Sequence, residues 1–434
     1  MDLDQDQKNR YVLKSGQQAF ILTVLTLLSV FCYADRSVLS AVLEPMKIAL
    51  GLTDTEIGIV QSVFAIGVSV LSIPASFVVD RWSRRKALGL MAVIWSIATF
   101  TTGLASKFAY LLTSRFFVGI GEAGFSTGGS GWLSLAFSKQ RRGIVTGVFS
   151  IGAVLGTVLG VVLGGYIVTK TGSWQQPFFY FAIPGIILGI LVFFLKDYAT
   201  VKAKGEGAFN KKFFAEWIRL FKIKSFTFTT IAQSFWALFY FTYLGFLPTL
   251  IMRTYQMDAH QATLIVGGAA MLAIVGSPLG GWLSDRWQKH NKAGRPYMMT
   301  VVQFSCLVTT VAVLFAMGGP LPLLIACIAI QSIIISTVNP LLQSLVTDVL
   351  PAGQRVSGHG ITVTCIFLGV TLGPWIVGMI SDAYGAGAAG LKTGLMYILP
   401  AFLIGGILYW INARYFYAKD SACVSDIVAS EKGS

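Results

Sequence analysis

The sequence predicts an all-α membrane protein of twelve transmembrane helices, arranged as two six-helix pseudo-repeats. Three observations carry this: apolar runs of helix length recur along the chain, basic residues crowd into alternate loops, and one loop motif occurs twice.

Of the 434 residues, 55% are hydrophobic and 12% charged, with a mean hydropathy of +0.70. That is too apolar for a single soluble core inside a charged surface, so lipid is the expected solvent. A helix crossing a bilayer needs roughly 20 predominantly apolar residues. Such runs fall near 19–43, 56–79, 87–106, 109–137, 143–169 and 175–195, then near 226–252, 260–284, 296–318, 320–347, 356–382 and 393–413. The chain therefore divides into a first bundle (1–195), a cytoplasmic linker (196–224), and a second bundle with a cytoplasmic tail (225–434). Within the linker, Phe213, Phe214, Trp217 and Phe221 share one helical face of the stretch 209–222, opposite Lys211, Lys212, Arg219 and Lys222. This pattern predicts an amphipathic helix lying on the inner membrane surface.

A net charge of +14 raises the question of nucleic acid, and the placement of the charge answers it. With a cytoplasmic N-terminus, 26 of the 33 Lys and Arg fall in cytoplasmic segments, and only Lys47, Lys107, Lys170, Arg253 and Lys392 fall opposite. The positive-inside rule then places both termini in the cytoplasm of a multi-pass protein of the inner (plasma) membrane. The basic character reflects topology and contact with anionic lipid, and no soluble basic face for nucleic acid is expected. The polar, acid-rich start lacks the layout of a cleaved signal peptide. The five cysteines have no paired spacing that suggests a metal site or disulfides.

Asp80-Arg81-Trp82-Ser83-Arg84-Arg85 follows the second span and Asp285-Arg286-Trp287 follows the eighth. Two similar six-span halves are the architecture of carriers with a substrate site at the interface of the halves. The loop pattern Gly-x-x-x-Asp-Arg-x-[Gly/Ser]-Arg-Arg resembles the signature loop of the major facilitator superfamily, with Ser76 in place of its glycine and Gly281 kept in the second copy. The resemblance implies that Asp80, Arg81 and Arg84, with Asp285 and Arg286, hold a cytoplasmic gate, and that the protein works as a monomer.

The sharpest functional signal is ionisable residues inside spans: Asp35 and Arg36 in the first, Arg115 and Glu122 in the fourth. Such groups cost several kcal/mol at membrane depth unless paired or hydrated. At about 1.5 Å rise per residue, Asp35 and Arg36 lie roughly 12 to 14 Å from the outer end of their span, and Arg115 and Glu122 about 9 and 20 Å from theirs, so all four can meet in one cavity. Desolvation and a neighbouring arginine push a carboxylate's proton affinity in opposite directions. This suits Asp35 or Glu122 to carry a coupling proton. Arg36 or Arg115 would balance it or hold a substrate anion, since a guanidinium grips carboxylate or phosphate bidentately. The alternative is that Asp35 with Arg36, and Arg115 with Glu122, are structural pairs.

Ala-Asp-Arg in the first span, Arg-x6-Glu-Ala-Gly in the fourth and Asp-Arg-Trp-Ser-Arg-Arg after the second resemble the Spinster-like transporters, and much of this is shared with the anion:cation symporters. The resemblance implies a proton-linked carrier, with lipid-like amphiphiles as substrates of the animal Spinster members and organic acids as those of the symporters.

From the second half, Gln233, Trp236, Tyr240 and Tyr243 recur at three- and four-residue steps and are expected, with Tyr33 and His359, to line the cavity. Gly119-x-Gly121-x-x-Gly124 matches a dinucleotide fingerprint in letters only, because no strand precedes it. It reads as close helix packing, as does the row Gly152, Gly156, Gly160 and Gly164. Three scattered histidines give no metal spacing, no nucleophile has an evident base, and no phosphate-binding loop is present. The expectation is a non-enzymatic, cofactor-free secondary carrier that moves a small organic anion or anionic amphiphile with protons. A non-transporting receptor, a uniporter and a sodium-linked carrier stay open as alternatives.

Overall fold

The computed structural model describes residues 13–138, 140–197, 218–351 and 354–423, and of Asp80 and Arg81 it describes the backbone only. The amphipathic stretch expected at 209–222 lies outside these residues except for 218–222. The described elements are helices. The first half comprises α1 (Ser15–Leu50), α2 (Asp54–Arg81), α3 (Arg84–Gly103), α4 in two segments (Phe108–Glu122 and Phe125–Ala136), α5 (Arg142–Thr171) and α6 (Gln176–Val192). The second comprises α7 (Lys224–Tyr255), α8 (Ala259–Ala270 and Ala273–His290), α9 (Gly294–Ala316), α10 (Leu321–Ser336 and Val338–Val349), α11 (Arg355–Ala383) and α12 (Ala388–Tyr397 and Pro400–Ile411).

Ten stretches among the described residues are long and apolar enough to cross a membrane, and Gln176–Val192 is a shorter apolar helix. α4 completes the twelve, and its two segments of 15 and 12 residues fall short singly because the helix breaks directly after Glu122. α1 runs past its expected end, through Pro45, until Gly51 adopts a left-handed conformation (φ 64°) and donates its amide to the Lys47 carbonyl. A left-handed glycine of this kind is a common helix stop.

The halves repeat each other's packing. α1 lies on α5, α2 on α4, and α3 on α4 and α6; six spans later α7 lies on α11, α8 on α10, and α9 on α10 and α12. The halves meet where α2 packs on α11 and α5 on α8, two contacts that the repeat exchanges.

Glycine sets the tightest of these crossings. A Cβ on Gly156 or Gly160 of α5 would lie 2.2 Å from the Val30 carbonyl oxygen or 2.3 Å from that of Ala34. The α1 backbone is thus pinned immediately before Asp35 and Arg36. A Cβ on Gly119 would likewise sit 2.2 Å from the Phe64 carbonyl oxygen, so α4 is pressed onto α2 between Arg115 and Glu122. Small residues at such positions let helix backbones approach where no hydrophobic effect drives helices together.

Candidate functional site

The intramembrane charges converge on one cluster. Asp35 is 2% exposed, and its Oδ2 accepts a hydrogen bond from Thr99 Oγ1 of α3 at 2.5 Å. Arg36, one residue on, turns to α4 and forms an ion pair with the buried Glu122. Arg115, two helical turns before Glu122, is only 1% exposed and points inward, with its guanidinium 5.4 Å from the centroid of the Phe64 ring. Neither Nε nor Nη1 of Arg115 has a hydrogen-bond partner, and one oxygen each of Asp35 and Glu122 is likewise unpartnered. The pairing therefore runs between helices, Arg36 to Glu122 and Asp35 to Thr99. It is not the within-segment pairing of Asp35 with Arg36 and Arg115 with Glu122 that the sequence left open.

Aromatic rings surround the pair. The Arg36 guanidinium lies 5.0 Å from the ring of Tyr33, 5.6 Å from Phe64 and 5.8 Å from Phe367 of the second half. Phe64 and Phe367 meet edge-on at 6.4 Å, and Phe367 stacks toward Phe241 at 6.4 Å. Tyr240 stacks on Trp236 at 4.5 Å and touches Phe241. Phe64, Phe241, Phe367 and Thr99 escaped the sequence reading, because one phenylalanine among 31 carries no signal.

The expected stripe on α7 divides. Gln233 is 1% exposed and accepts from the Tyr409 hydroxyl of α12 at 3.0 Å. Tyr243 is 3% exposed and donates to Gln331 Oε1 of α10 at 2.6 Å. Both hydrogen bonds lie within the second bundle. Trp236 and Tyr240 remain in the aromatic group beside Arg36. His359 is half-buried against Thr347 of α10, 3.4 Å from its hydroxyl, and is not part of the charged cluster.

Of the expected gate, the side chains of Asp80 and Arg81 lie outside the described residues. Arg84 opens α3, where Ser83 caps the helix by accepting from the Lys86 amide. In the second half Asp285 pairs with Arg295 at 2.8 Å, Arg295 also pairs with Asp348, and Tyr417 donates to the same Asp348. Arg286 is exposed and lies over Trp282 of its own helix at 5.8 Å. The second copy of the motif thus ties α8, α9, α10 and the tail of α12 together within one half.

Among the described residues no group of three or more His, Cys, Asp or Glu could hold a metal ion. A cleft of about 440 Å³ between α3 and α4 has a wall of apolar side chains, with Ile97 and Phe117 exposed on the outside of the bundle, and it is separate from the charged cluster.

The family model described as Major Facilitator Superfamily matches residues 25–302 and again 244–422. The chain belongs to the major facilitator superfamily. As a member it is a multi-pass transporter and not an enzyme. It is similar to an MFS-type efflux pump of Mycolicibacterium smegmatis, 26% identical over 95% of this chain and 96% of that protein. It is also similar to a probable sulfoacetate transporter of Cupriavidus necator, 28% identical over 62% of this chain and 65% of that one. The major facilitator fold is shared with a bacterial homologue of the human lysosomal transporter Spinster, solved inward-facing and unoccupied. Its TM-score is 0.81 at 20% identity, covering 94% of this chain and 99% of that chain.

Proposed function

We propose that this transporter is a proton-coupled symporter of an organic anion, working by alternating access as a monomer, with both termini in the cytoplasm and the α1–α2 turn outside. The observation that carries the reading is a quartet of two carboxylates and two guanidiniums, with Asp35, Glu122 and Arg115 buried and Arg36 half-buried, in which one guanidinium, that of Arg115, has donors without partners.

Fully ionised, Asp35, Glu122, Arg36 and Arg115 sum to zero charge. A proton taken by either carboxylate leaves one positive charge on this largely buried cluster, and an anion bound at Arg115 leaves one negative charge. Net charge is costly there. Loaded together they cancel, so each makes the other's binding more favourable, which is the requirement for symport. In this reading Arg115 grips the anion, Glu122 or Asp35 takes the proton, and release of Arg36 from Glu122 accompanies protonation.

The aromatic group of Phe64, Phe241, Phe367, Trp236 and Tyr240 suits an anion with an apolar body. The similarity to a probable sulfoacetate transporter supports an organic acid, and the resemblance of the span motifs to the Spinster-like transporters supports an amphiphile such as a lysolipid.

The test is proton flux into proteoliposomes carrying an internal pH dye. Organic acids, sulfoacetate among them, and lysolipids are offered to the intact protein and to Asp35→Asn. One compound class that drives proton entry only in the intact protein supports the reading. Solute entry without proton movement in either protein overturns the coupling and leaves a uniporter or a sodium-linked carrier.

A further inference from the structure

The outside of the first bundle carries a cleft that the charged cluster does not use. Ile94, Ile97 and Ala98 of α3 and Tyr110, Thr113 and Phe117 of α4 wall it, and it holds about 440 Å³. Gly121 closes its deep end. A Cβ there would lie 2.6 Å from the Trp95 amide nitrogen, so α4 is pressed onto α3 at that level. Between this crossing and the α3–α4 turn the two helices leave the cleft open on their outer side. On the inner side Thr102 Oγ1 donates to Ser114 Oγ at 3.1 Å and ties the helices together.

The length of the cleft matches one leaflet. At about 1.5 Å rise per residue, Ile94 lies about 14 Å and Ile120 about 18 Å from the ends of α3 and α4 that meet at their turn. Half of a bilayer's hydrocarbon core is about 15 Å. Ile97 and Phe117 are exposed beside the cleft, so hydrocarbon is what it faces. At the mouth the chemistry changes. Tyr110 is exposed there, and Lys107 in the turn is exposed with no ion-pair partner among the described residues. A tyrosine ring is at home at headgroup level, and a lysine stem lies along apolar surface while its ammonium reaches the headgroups.

We propose that this cleft is a binding site for one glycerophospholipid of that leaflet, with an acyl chain laid along the cleft and the phosphate held at Lys107. Lipid tails are as apolar as the wall, so no hydrophobic effect selects the chain. Two other effects do. An empty cleft deprives its lining of dispersion contacts that a chain restores, and the phosphate meets the compact positive charge of a lysine. A flexible chain fits where a second copy of this protein does not, because a helix with its side chains is about 10–12 Å across. The inner faces of the same two helices carry Thr99, Arg115 and Glu122. The seated lipid therefore backs the helices that hold the charged cluster, whichever solute is carried.

The probe is phosphatidylglycerol with a diazirine midway along one acyl chain, mixed into phosphatidylethanolamine proteoliposomes of the full chain. After photolysis the adducts are mapped by peptide mass spectrometry. Adducts on Ile97 and Ala98 should exceed those on Ile183 of α6, which is as exposed as Ile97 and lies at a similar depth. Lys107→Ala should lower the cleft adducts about fivefold. Thr113→Trp, which fills the cleft from an exposed position, should abolish them, and Ile183 should be unchanged in both variants. Equal labelling of Ile97 and Ile183 that neither substitution alters is ordinary boundary lipid and overturns the site. Disulfide-linked dimers of Thr113→Cys, formed with Cys423 replaced by alanine, overturn it in favour of a second copy. Both substituted positions are on the surface, so folding is not at stake.

Discussion

Arg36 of α1 is paired with Glu122 of α4 across a helix crossing, although Asp35 stands beside it in sequence and Arg115 shares a helix with Glu122. Glu122→Gln should therefore free Arg36 as well as remove the proposed proton carrier. The expected outcome in proteoliposomes is loss of proton-driven accumulation, with exchange of labelled for unlabelled substrate retained. Loss of both activities equally would assign Glu122 to substrate binding.

Phe367 brings the second half to the charged pair, 5.8 Å from the Arg36 guanidinium. Phe367→Leu keeps an apolar side chain there and removes the ring. A cation over an aromatic face contributes about 0.5–1 kcal/mol at exposed sites and more when desolvated. The apparent KM for the anion should rise a few-fold while Phe367→Tyr stays near the original, as read by initial uptake rates.

Tyr243 and Tyr240 should behave in opposite ways. Tyr243→Phe leaves the buried Gln331 Oε1 without its donor, a loss worth about 1–3 kcal/mol. Its thermal midpoint in detergent should fall, with little change in transport per folded molecule. Tyr240→Phe should leave the midpoint unmoved.

Gly156 tests the packing that sets the whole site. Any side chain there must displace the Val30 carbonyl, 2.2 Å from its Cβ position. Overpacking of this kind costs about 1–3 kcal/mol. Gly156→Val should lower the thermal midpoint and, by shifting Asp35 and Arg36 together, also lower uptake. Gly147→Val on the same helix, where a Cβ meets nothing within 4 Å, is the control.

The twelve spans were legible because each violates the composition of a soluble helix, and the four charges were legible because they violate the composition of a span. Their partners were not legible. Whether Arg36 reaches Glu122 or Asp35 depends on how α1 is rotated against α4, which the Gly156 and Gly160 contacts with α1 and the Gly119 contact with α2 determine together. The partners of Gln233 and Tyr243, Tyr409 and Gln331, were illegible for a related reason. α7 is apolar around its circumference, so no polar stripe separates its cavity face from its core face. The hydrogen bonds of Arg253 to Glu44 and Asp54, and of the first amides of α2 to Asp382, were illegible because Glu44, Lys47, Asp54, Arg253 and Asp382 each pass for an ordinary charge near a helix end. Only the approach of α2 to α11 makes them a set.

The break in α4 directly after Glu122 has a counterpart in α10, which breaks at Thr337. α8 and α12 also break, at 271–272 and 398–399, where their counterparts α2 and α6 run on, so the joint that the two halves share is that of α4 and α10. The segment 338–349 is not free to lean about its joint, because Arg295 of α9 and Tyr417 hold its Asp348. Asp348→Ala should loosen that hold, and the half-helix beyond the joint of α10 should then move without the half before it.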